Sequence, residues 1–452
     1  MAVAAGRSAR TRFVCASCGA QSPRWAGRCP ECEEWNSLSE ELQPRAHKKE
    51  LAAPAGAVTL LTDAPPDGRR LPTGYAEVDR VLGGGIVPGS VILLGGDPGV
   101  GKSTLALQIA DRAATAGAAT LYCSGEESGA QVGLRARRTG CSAAGIELLI
   151  ETDLDTVLAT IESRRPPLAI VDSVQTVYDA AVAGTAGSPA QVRAAVARLV
   201  GAAKACGVAV LLVGHVTKDG AIAGPRTLEH LVDVVLYLEG DRLGDQRILR
   251  GVKNRFGSTG EVGLLAMDAA GIRELDAPSR AFMDGAGAGI AGNALTVTCE
   301  GVRPLAIEVQ ALTIGTQSPL PRRTVSGFDV NRLHLLLAVL EKRADIRMGQ
   351  SDVFVNAVGG VRLDDPAADL AVALAIAGSK LNRTLPPSCA VLGEVGLGGE
   401  VRRIARLDAR LTEAAALGLE TVIVPANHRG HVPAGLECRA VTTIREAIRL
   451  LA

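Results

Sequence analysis

The sequence has few aromatic residues: five Phe, four Tyr and two Trp among 452 residues. Proteins that hold single strands mainly by stacking bases need several aromatic side chains along one groove, so an extended platform of that kind is excluded. The chain also has no net charge, because 48 Lys and Arg balance 48 Asp and Glu. Binding to nucleic acid would therefore have to depend on local segregation of charge.

Long hydrophobic runs are absent as well. No stretch approaches the roughly 18 consecutive apolar residues of a membrane span. The first twelve residues carry three arginines and no apolar core of a secretory signal. Of the ten cysteines, four form two CxxC pairs and six are scattered through apolar segments, as is typical of a reducing compartment. We expect a cytoplasmic protein with no membrane partner.

Shifts in composition divide the chain into five segments. The pattern predicts a small N-terminal C4 zinc finger, a linker, an ATPase domain, a glycine-rich linker and an α+β domain, over residues 1–35, 36–56, 57–276, 277–292 and 293–452. In the third segment, continuous apolar runs alternate with helical patterns, which indicates an α/β fold with a parallel sheet covered on both faces.

Two cysteine pairs open the chain. Cys15 and Cys18 are separated by ten residues from Cys29 and Cys32. Four thiolates at this spacing can close a tetrahedral Zn²⁺ site with no open position, which makes the predicted metal structural. Disulfides or free thiols are the alternatives. The first 32 residues carry five arginines against one glutamate, which fits either a polyanion contact or a solvated basic face.

A phosphate-binding loop follows the apolar run 91–94. The segment from Gly96 to Ser103 matches GxxxxGK[ST] in full and precedes a predicted helix. Its backbone amides can converge on phosphate oxygens, Lys102 can reach the β- and γ-phosphates, and Ser103 can ligate Mg²⁺. The predicted ATP-binding residues are Gly96, Asp97, Pro98, Gly99, Val100, Gly101, Lys102, Ser103 and Thr104.

Acidic residues follow two further apolar runs. Asp172 ends the run 168–171. Alone it would more often be a turn or cap residue, but beside the phosphate loop it is predicted to hold Mg²⁺ through water. Glu126 and Glu127 follow the run 120–123, and one of them can polarise the attacking water. Its position favours Glu126, against an acidic pair that merely starts a helix.

Several motifs together carry a family resemblance. They are the four cysteines, Pro72-Thr-Gly74, the glycine-rich approach 82–90, Ser124-Gly-Glu-Glu-Ser128, Gly214-His-Val-Thr-Lys-Asp-Gly220 and Lys253-Asn-Arg-Phe-Gly257. In this order, and over essentially the whole chain, they resemble the RadA (Sms) family of bacterial DNA repair proteins.

The resemblance implies a RecA-like P-loop ATPase core, a homo-hexameric ring and ATP-driven movement on single-stranded DNA at recombination branches. It further implies a role in homologous recombination and the response to DNA damage stress, with a recombinase or replicative helicase as partner. By position, Glu126 is the catalytic base and His215 senses the γ-phosphate. Lys253 and Arg255 are implied to couple ATP to DNA, at a neighbouring subunit's nucleotide, although a hairpin turn with solvated charges also fits them.

Two loops and the last domain complete the comparison with that family. Residues 174–192 and 217–229 occupy the places of DNA-contacting loops, with Lys218 and Arg226 as candidate phosphate contacts. The last domain resembles the Lon protease domain, but Ala367 stands in the nucleophile's place and Arg410 in the lysine's. Because alanine has no nucleophilic atom and arginine stays protonated, we expect no proteolysis.

Two basic stretches of the last domain, 321–350 and 400–410, carry six and four Lys or Arg against three and two acidic residues. They fit duplex or branched DNA, a solvated face or a subunit interface. Two alternatives to the DNA motor stay open: a P-loop regulator without motor activity, and an ATP-dependent Lon-type protease.

Overall fold

A computed structural model describes most of the chain. The described ranges are 11–15, 20–42, 69–141, 145–214, 228–240, 245–275, 289–358, 362–428 and 430–452. The chain forms two compact units. The first comprises the described residues up to Gly240 with Arg247–Thr259 and Met267–Arg273, and the second those of Asp241–Gln246, Gly260–Ala266 and Glu274–Ala452.

The N-terminal end folds as a small antiparallel ribbon. Its strands are β1 (Thr11–Cys15), β2 (Gln21–Ser22) and β3 (Leu38–Leu42), in the order β2-β1-β3. Strand β3 pairs with β1 along its whole length, with Cys15 opposite Leu38. The ribbon's sheet therefore extends past residue 35, where the composition predicts a linker.

Most strands of the first unit belong to a nine-stranded sheet. Its strands are β4 (Val91–Gly96), β5 (Thr120–Ser124), β6 (Ile146–Ile150), β7 (Leu168–Asp172), β8 (Ala209–Val213), β9 (Val234–Gly240), β10 (Gln246–Asn254), β11 (Val262–Asp268) and β12 (Gly271–Glu274). The accompanying helices are α1 (Ala76–Leu82), α2 (Lys102–Thr115), α3 (Gly129–Arg138), α4 (Leu154–Arg164) and α5 (Pro189–Cys206).

The strand order is β12-β11-β10-β9-β4-β8-β7-β5-β6. The run from β9 to β6 is parallel, and β10 joins β9 antiparallel. Strands β4, β5, β7 and β8 are buried at every position, which explains why their sequences are continuously apolar. The predicted α/β class, with its parallel-rich P-loop core and N-terminal ribbon, is confirmed.

Helix α3 is not among the helices that the sequence predicts for this segment, which cover residues 103–116, 152–164 and 189–206. Ser128 and Gln131 form a capping box at its start, and Val132 is its one buried residue. Glycines at 129 and 133 lower its helix propensity. This helix has two glycines and only one buried residue, so its low apolar content makes it hard to find from the sequence.

A mixed seven-stranded sheet organises the second unit. Its strands are β13 (Asn293–Glu300), β14 (Arg303–Gly315), β15 (Arg323–Ser326), β16 (Ser351–Ala357), β17 (Cys389–Val391), β20 (Thr421–Pro425) and β21 (Glu437–Val441), with β18 (Glu394–Val395) and β19 (Val401–Arg402) as a separate pair. The helices are α6 (Val330–Ala344), α7 (Asp369–Leu381), α8 (Leu407–Ala416) and α9 (Ile444–Ile448). Helix α7 is buried from Asp369 to Gly378, as expected of a helix that is apolar all round.

Candidate nucleotide site

The phosphate-binding loop joins the end of β4 to the start of α2. Gly101 precedes the helix with φ 112°, and a Cβ at this position would lie 2.9 Å from the Met267 Sδ. Only glycine suits this backbone and this space. The guanidinium Nε of Arg247 donates to the Val100 carbonyl at 3.0 Å. The loop is thereby fixed with residues 97–99 exposed.

Lys102 lies inside the loop. Its Nζ donates to the Gly96 and Asp97 carbonyls at 2.8 and 3.0 Å. Burial lowers the pKa of Lys102, against the carboxylates of Asp172, Asp97 and Glu126, which raise it. Both hydrogen bonds of the ammonium group are thus to backbone carbonyls, and three carboxylates lie near it.

Asp172 and Ser103 meet at the carboxyl edge of the sheet. Asp172 ends β7, which is separated from β4 by β8. The Ser103 Oγ donates to Asp172 Oδ1 at 3.1 Å. A hydroxyl and a carboxylate side by side at the start of the phosphate-loop helix are oxygen ligands of the kind that Mg²⁺ prefers. These residues therefore fit a nucleotide-bound Mg²⁺.

The two glutamates after β5 have different environments. Glu127 forms an ion pair with Arg135. Glu126 is exposed and its Oε1 accepts a hydrogen bond from the Ser173 Oγ, next to Asp172. Glu126 also lies close enough to Lys102 to influence its pKa. This arrangement favours Glu126 over Glu127 as the group facing a reacting water.

Two residues that contact Asp172 were not predicted from the sequence. The Tyr122 hydroxyl donates to Asp172 Oδ2 at 2.6 Å, and Arg135 Nη1 lies 3.6 Å from the same oxygen. Burial, followed by the charge of Asp172, raises the pKa of Tyr122 well above its usual value. Tyrosine in a strand is typical of a core position, so the sequence contained no separate signal for it.

Lys253 and Arg255 lie at the opposite edge of the sheet from the phosphate loop. Strand β10 runs antiparallel to β9, so that Asn254 pairs with Val234, which in turn pairs with Ile92 at the beginning of β4. Gly96 lies four residues further along, about 13 Å at about 3.3 Å per residue. The structure therefore does not bring these two cations to the phosphate loop of their own chain.

Lys253 is instead bound to the segment before β9. Its Nζ donates to the Glu229 carbonyl at 2.5 Å and to the Val232 carbonyl at 2.8 Å. Burial, then the nearby Arg255 charge, lowers the pKa of Lys253. Arg255 pairs with the buried Asp233 at 3.3 Å. Both cations thus contact residues 229–233, which follow closely on residues 215–227.

Three cysteines converge in the ribbon. The Sγ atoms of Cys15, Cys29 and Cys32 all lie within 4.8 Å of one another, and those of Cys15 and Cys32 are 3.6 Å apart. Three thiols at this separation fit the donor set of a tetrahedral Zn²⁺. Cys18, the fourth predicted ligand, lies outside the described residues, as do His215, Lys218 and Arg226.

Arg410 and Ala367 of the second unit are both buried. The Arg410 guanidinium donates to Asp365 Oδ2 at 2.6 Å, to the Val297 carbonyl at 2.6 Å and to the Ala405 carbonyl at 3.1 Å. Ala367 follows Asp365 in a short 3₁₀ turn, and its amide donates to Asp365 Oδ1 at 3.0 Å. Burial raises the pKa of Asp365, but the Ala367 amide and Arg410 outweigh it, and the pKa is lowered.

Most cations of the two basic stretches have partners within the unit. Arg332 pairs with the buried Asp369, and Arg402 with Glu400. Arg323, Arg343 and Arg406 donate to backbone carbonyls. Four exposed cations form no ion pair with the described residues: Arg322, Lys342, Arg347 and Arg403. The charge available at the surface is smaller than the sequence count suggests.

The described helices contain none that is long and apolar enough to span a membrane.

Two family models match the chain. A model described as an AAA domain covers residues 63–221, which include the phosphate loop, Glu126 and Asp172. A model described as a rubredoxin metal binding domain covers residues 13–40, which include all four cysteines of the two CxxC pairs and also β3 up to residue 40.

Full-length relatives match as well. The chain is 47% identical to the DNA repair protein RadA of Mycobacterium tuberculosis H37Rv, over 98% of this chain and 94% of that one. It is 44% identical to the DNA repair protein RadA of Bacillus subtilis 168, over 97% and 98%. The corresponding protein of Halalkalibacterium halodurans is 45% identical over 98% of both chains. The family resemblance that the motifs indicate is thereby confirmed, and the chain belongs to the RadA family of DNA repair proteins.

Proposed function

We propose that this chain is a DNA-stimulated ATPase of homologous recombination and DNA repair. It works in the cytoplasm as a homo-hexameric ring, moves on single-stranded DNA and branch-migrates recombination intermediates, together with a recombinase or a replicative helicase. The observation that carries the proposal is the assembly of Lys102, Ser103, Glu126 and Asp172 at one edge of the sheet.

Each of these side chains has a distinct task at the bound ATP. Lys102 exchanges its two carbonyl partners for oxygens of the β- and γ-phosphates. Ser103 and Asp172 hold Mg²⁺, which when bound neutralises charge on the phosphates. Glu126 orients the attacking water and accepts its proton. His215, two residues after β8 in the sequence, senses the γ-phosphate. The loop residues from Gly96 to Thr104 supply amides and the positive end of the α2 dipole.

Lys253 and Arg255 act at the nucleotide of a second copy. Lys253 pairs with Val235, which is level with Leu93, about 10 Å along the strands from Gly96, and Arg255 lies two residues further from the loop. Both cations contact residues 229–233, which follow the segment 215–227 in the sequence. A displacement of either cation toward a neighbour's γ-phosphate would pull on residues 229–233, which adjoin the candidate DNA-contacting residues in the sequence. ATP and DNA binding are coupled by this route.

DNA is held through its phosphates. Lys218 and Arg226 in the segment 217–229 are the proposed contacts, together with loop 174–192. That loop contains no Lys or Arg, so it can contribute only backbone amides and neutral side chains. On the second unit, the exposed Arg322, Lys342, Arg347 and Arg403 are the cations that remain for duplex or branched DNA.

The ribbon holds one structural Zn²⁺ through Cys15, Cys18, Cys29 and Cys32. The 4.8 Å convergence of three thiols supports this site. A unit of this size has little core of its own, so its fold depends on the metal.

The rate of ATP hydrolysis with and without single-stranded DNA tests the function. We expect DNA to accelerate the parent chain severalfold and Lys253→Ala to lose that acceleration. Lys204→Ala is the matched control, since Lys204 is also a cation beside Asp233, at 3.7 Å, and is half exposed. A parent chain that hydrolyses ATP at one rate in both conditions refutes the DNA motor and favours a P-loop regulator.

A protease function is disfavoured by the geometry of the second unit. Ala367 offers no nucleophile, is fully buried and is followed by the buried helix α7. Arg410 is held by three acceptors and stays charged. ATP-stimulated cleavage of a peptide would overturn this conclusion.

A further inference from the structure

The two carboxylate oxygens of Asp172 have different surroundings. Oδ1 accepts from the Ser103 hydroxyl at 3.1 Å, on the side of the phosphate loop. Oδ2 accepts from the Tyr122 hydroxyl at 2.6 Å and lies 3.6 Å from Arg135 Nη1. Oδ2 of the carboxylate is therefore contacted by two side chains that do not belong to the phosphate-loop motif.

Both side chains come from elements that fix them independently. Tyr122 is the central residue of β5 and is fully buried, with its backbone paired to β6 and β7. Arg135 belongs to α3, and its second guanidinium nitrogen is paired with Glu127. Each side chain therefore has an anchor besides Asp172, so each can orient the carboxylate.

A buried nitrogen of Arg135 lacks a hydrogen-bond acceptor among the described residues, which indicates a role beyond packing. Its Nη1 is buried and has no hydrogen-bond partner within the described part of the chain. The nearest acceptor to which it is paired is Asp172 Oδ2, at ion-pair distance rather than hydrogen-bond distance. Proteins seldom leave a buried donor in this condition. The effect of the Arg135 charge on the Asp172 carboxylate explains why this arginine occupies the position.

We propose that Tyr122 and Arg135 are positioning residues for the metal–nucleotide complex, because they hold Oδ2 of Asp172 and keep Oδ1 directed at Ser103 and Mg²⁺. The inference rests on the proposed ATPase function. The terminal torsion of an aspartate is broad, so a carboxylate without these contacts can rotate away from Ser103. The chain then binds the nucleotide's phosphates as before, through Lys102 and the loop amides, but takes up Mg²⁺ less tightly.

Tyr122→Phe tests this with a fluorescent, non-hydrolysable ATP analogue. Binding is measured across a Mg²⁺ titration and again in EDTA. We expect the Mg²⁺ concentration for half-maximal effect to rise about tenfold, the lower end of what loss of a metal ligand's hydrogen-bond partner causes. Affinity in EDTA should stay within about twofold of the parent. Arg135→Gln should shift the Mg²⁺ dependence in the same direction, and Arg135→Lys should restore part of it.

Tyr75→Phe is the matched control. Tyr75 is also fully buried in the first unit, but its hydroxyl donates to the Ile272 carbonyl at 3.0 Å. This variant should keep the parent's Mg²⁺ dependence. The inference is overturned if Tyr122→Phe behaves like Tyr75→Phe, or if its affinity falls equally in Mg²⁺ and in EDTA, as a merely structural loss would produce.

The parent chain separates this inference from the proposed function. A parent that binds the analogue with Mg²⁺ but shows no DNA-stimulated hydrolysis refutes the motor, while the Mg²⁺ shift of Tyr122→Phe still decides the role of Tyr122. A parent whose affinity does not depend on Mg²⁺ refutes the positioning role directly.

Discussion

The phosphate loop and the Arg410 site show two uses of a buried cation. Lys102 and Arg410 each lie near the start of a helix and are almost fully buried. Lys102 donates to two carbonyls of a loop whose tip is exposed, and its pKa is lowered by burial. Arg410 is held by a carboxylate and two carbonyls.

The difference separates a charge kept for a ligand from a charge used by the fold. A cation that binds only replaceable carbonyls beside an open loop can turn to a phosphate at little cost. A guanidinium with an ion-pair partner in the interior cannot leave without stranding a buried carboxylate. The same reasoning reduces the basic stretches of the second unit to a few available cations.

Lys102→Ala should give the largest effect on activity. We expect ATP hydrolysis to fall by at least about 100-fold, as when one main stabiliser of transition-state charge is removed. The thermal unfolding midpoint should change little, since the hydrogen bonds of the Lys102 ammonium within the described residues are to two loop carbonyls and to no charged partner. A large loss of stability would mean that Lys102 is structural, like Arg410, and would contradict the proposed difference between the two cations.

Arg410→Met should show the opposite pattern. We expect it to lower the free energy of unfolding of the second unit by about 3 kcal/mol, because Asp365, which is only 19% exposed, loses its ion-pair partner. Denaturant unfolding measures this, with the exposed Arg403→Met as a control that should change stability by less than about 0.5 kcal/mol. Equal stability of the two variants would contradict the assignment of Arg410 to the fold.

Acidification should have a smaller effect on the same pair. The folded pKa of Asp365 lies below its ordinary value, so its contribution to stability is present above the unfolded value, about 3.9. It is lost as pH falls through the folded pKa. Asp365→Asn should therefore be less sensitive than the parent to acid below about pH 4, as followed by unfolding at several pH values. Identical acid profiles would show that the ion pair does not contribute.

Continuous apolar strands and the GxxxxGKS loop were readable from the sequence because each is a local pattern. The different environments of Glu126 and Glu127 were not readable, because they depend on Arg135, which lies on an exposed helix with few apolar residues. The position of Lys253, at the edge of the sheet opposite the phosphate loop, could not be predicted from the sequence either. It follows from the antiparallel register of β10 on β9, with an irregularity between Gly251 and Lys253, and a sequence does not specify pairing of that kind.

Mixing two variants that each lack DNA-stimulated hydrolysis tests the shared site most directly. Lys102→Ala keeps Lys253 intact and Lys253→Ala keeps the phosphate loop intact, so mixed rings contain interfaces at which an intact loop faces an intact Lys253. We predict that the mixture regains DNA-stimulated ATP hydrolysis that neither variant shows alone, in proportion to such interfaces. A mixture that forms joint rings and stays as inactive as its components would contradict the account.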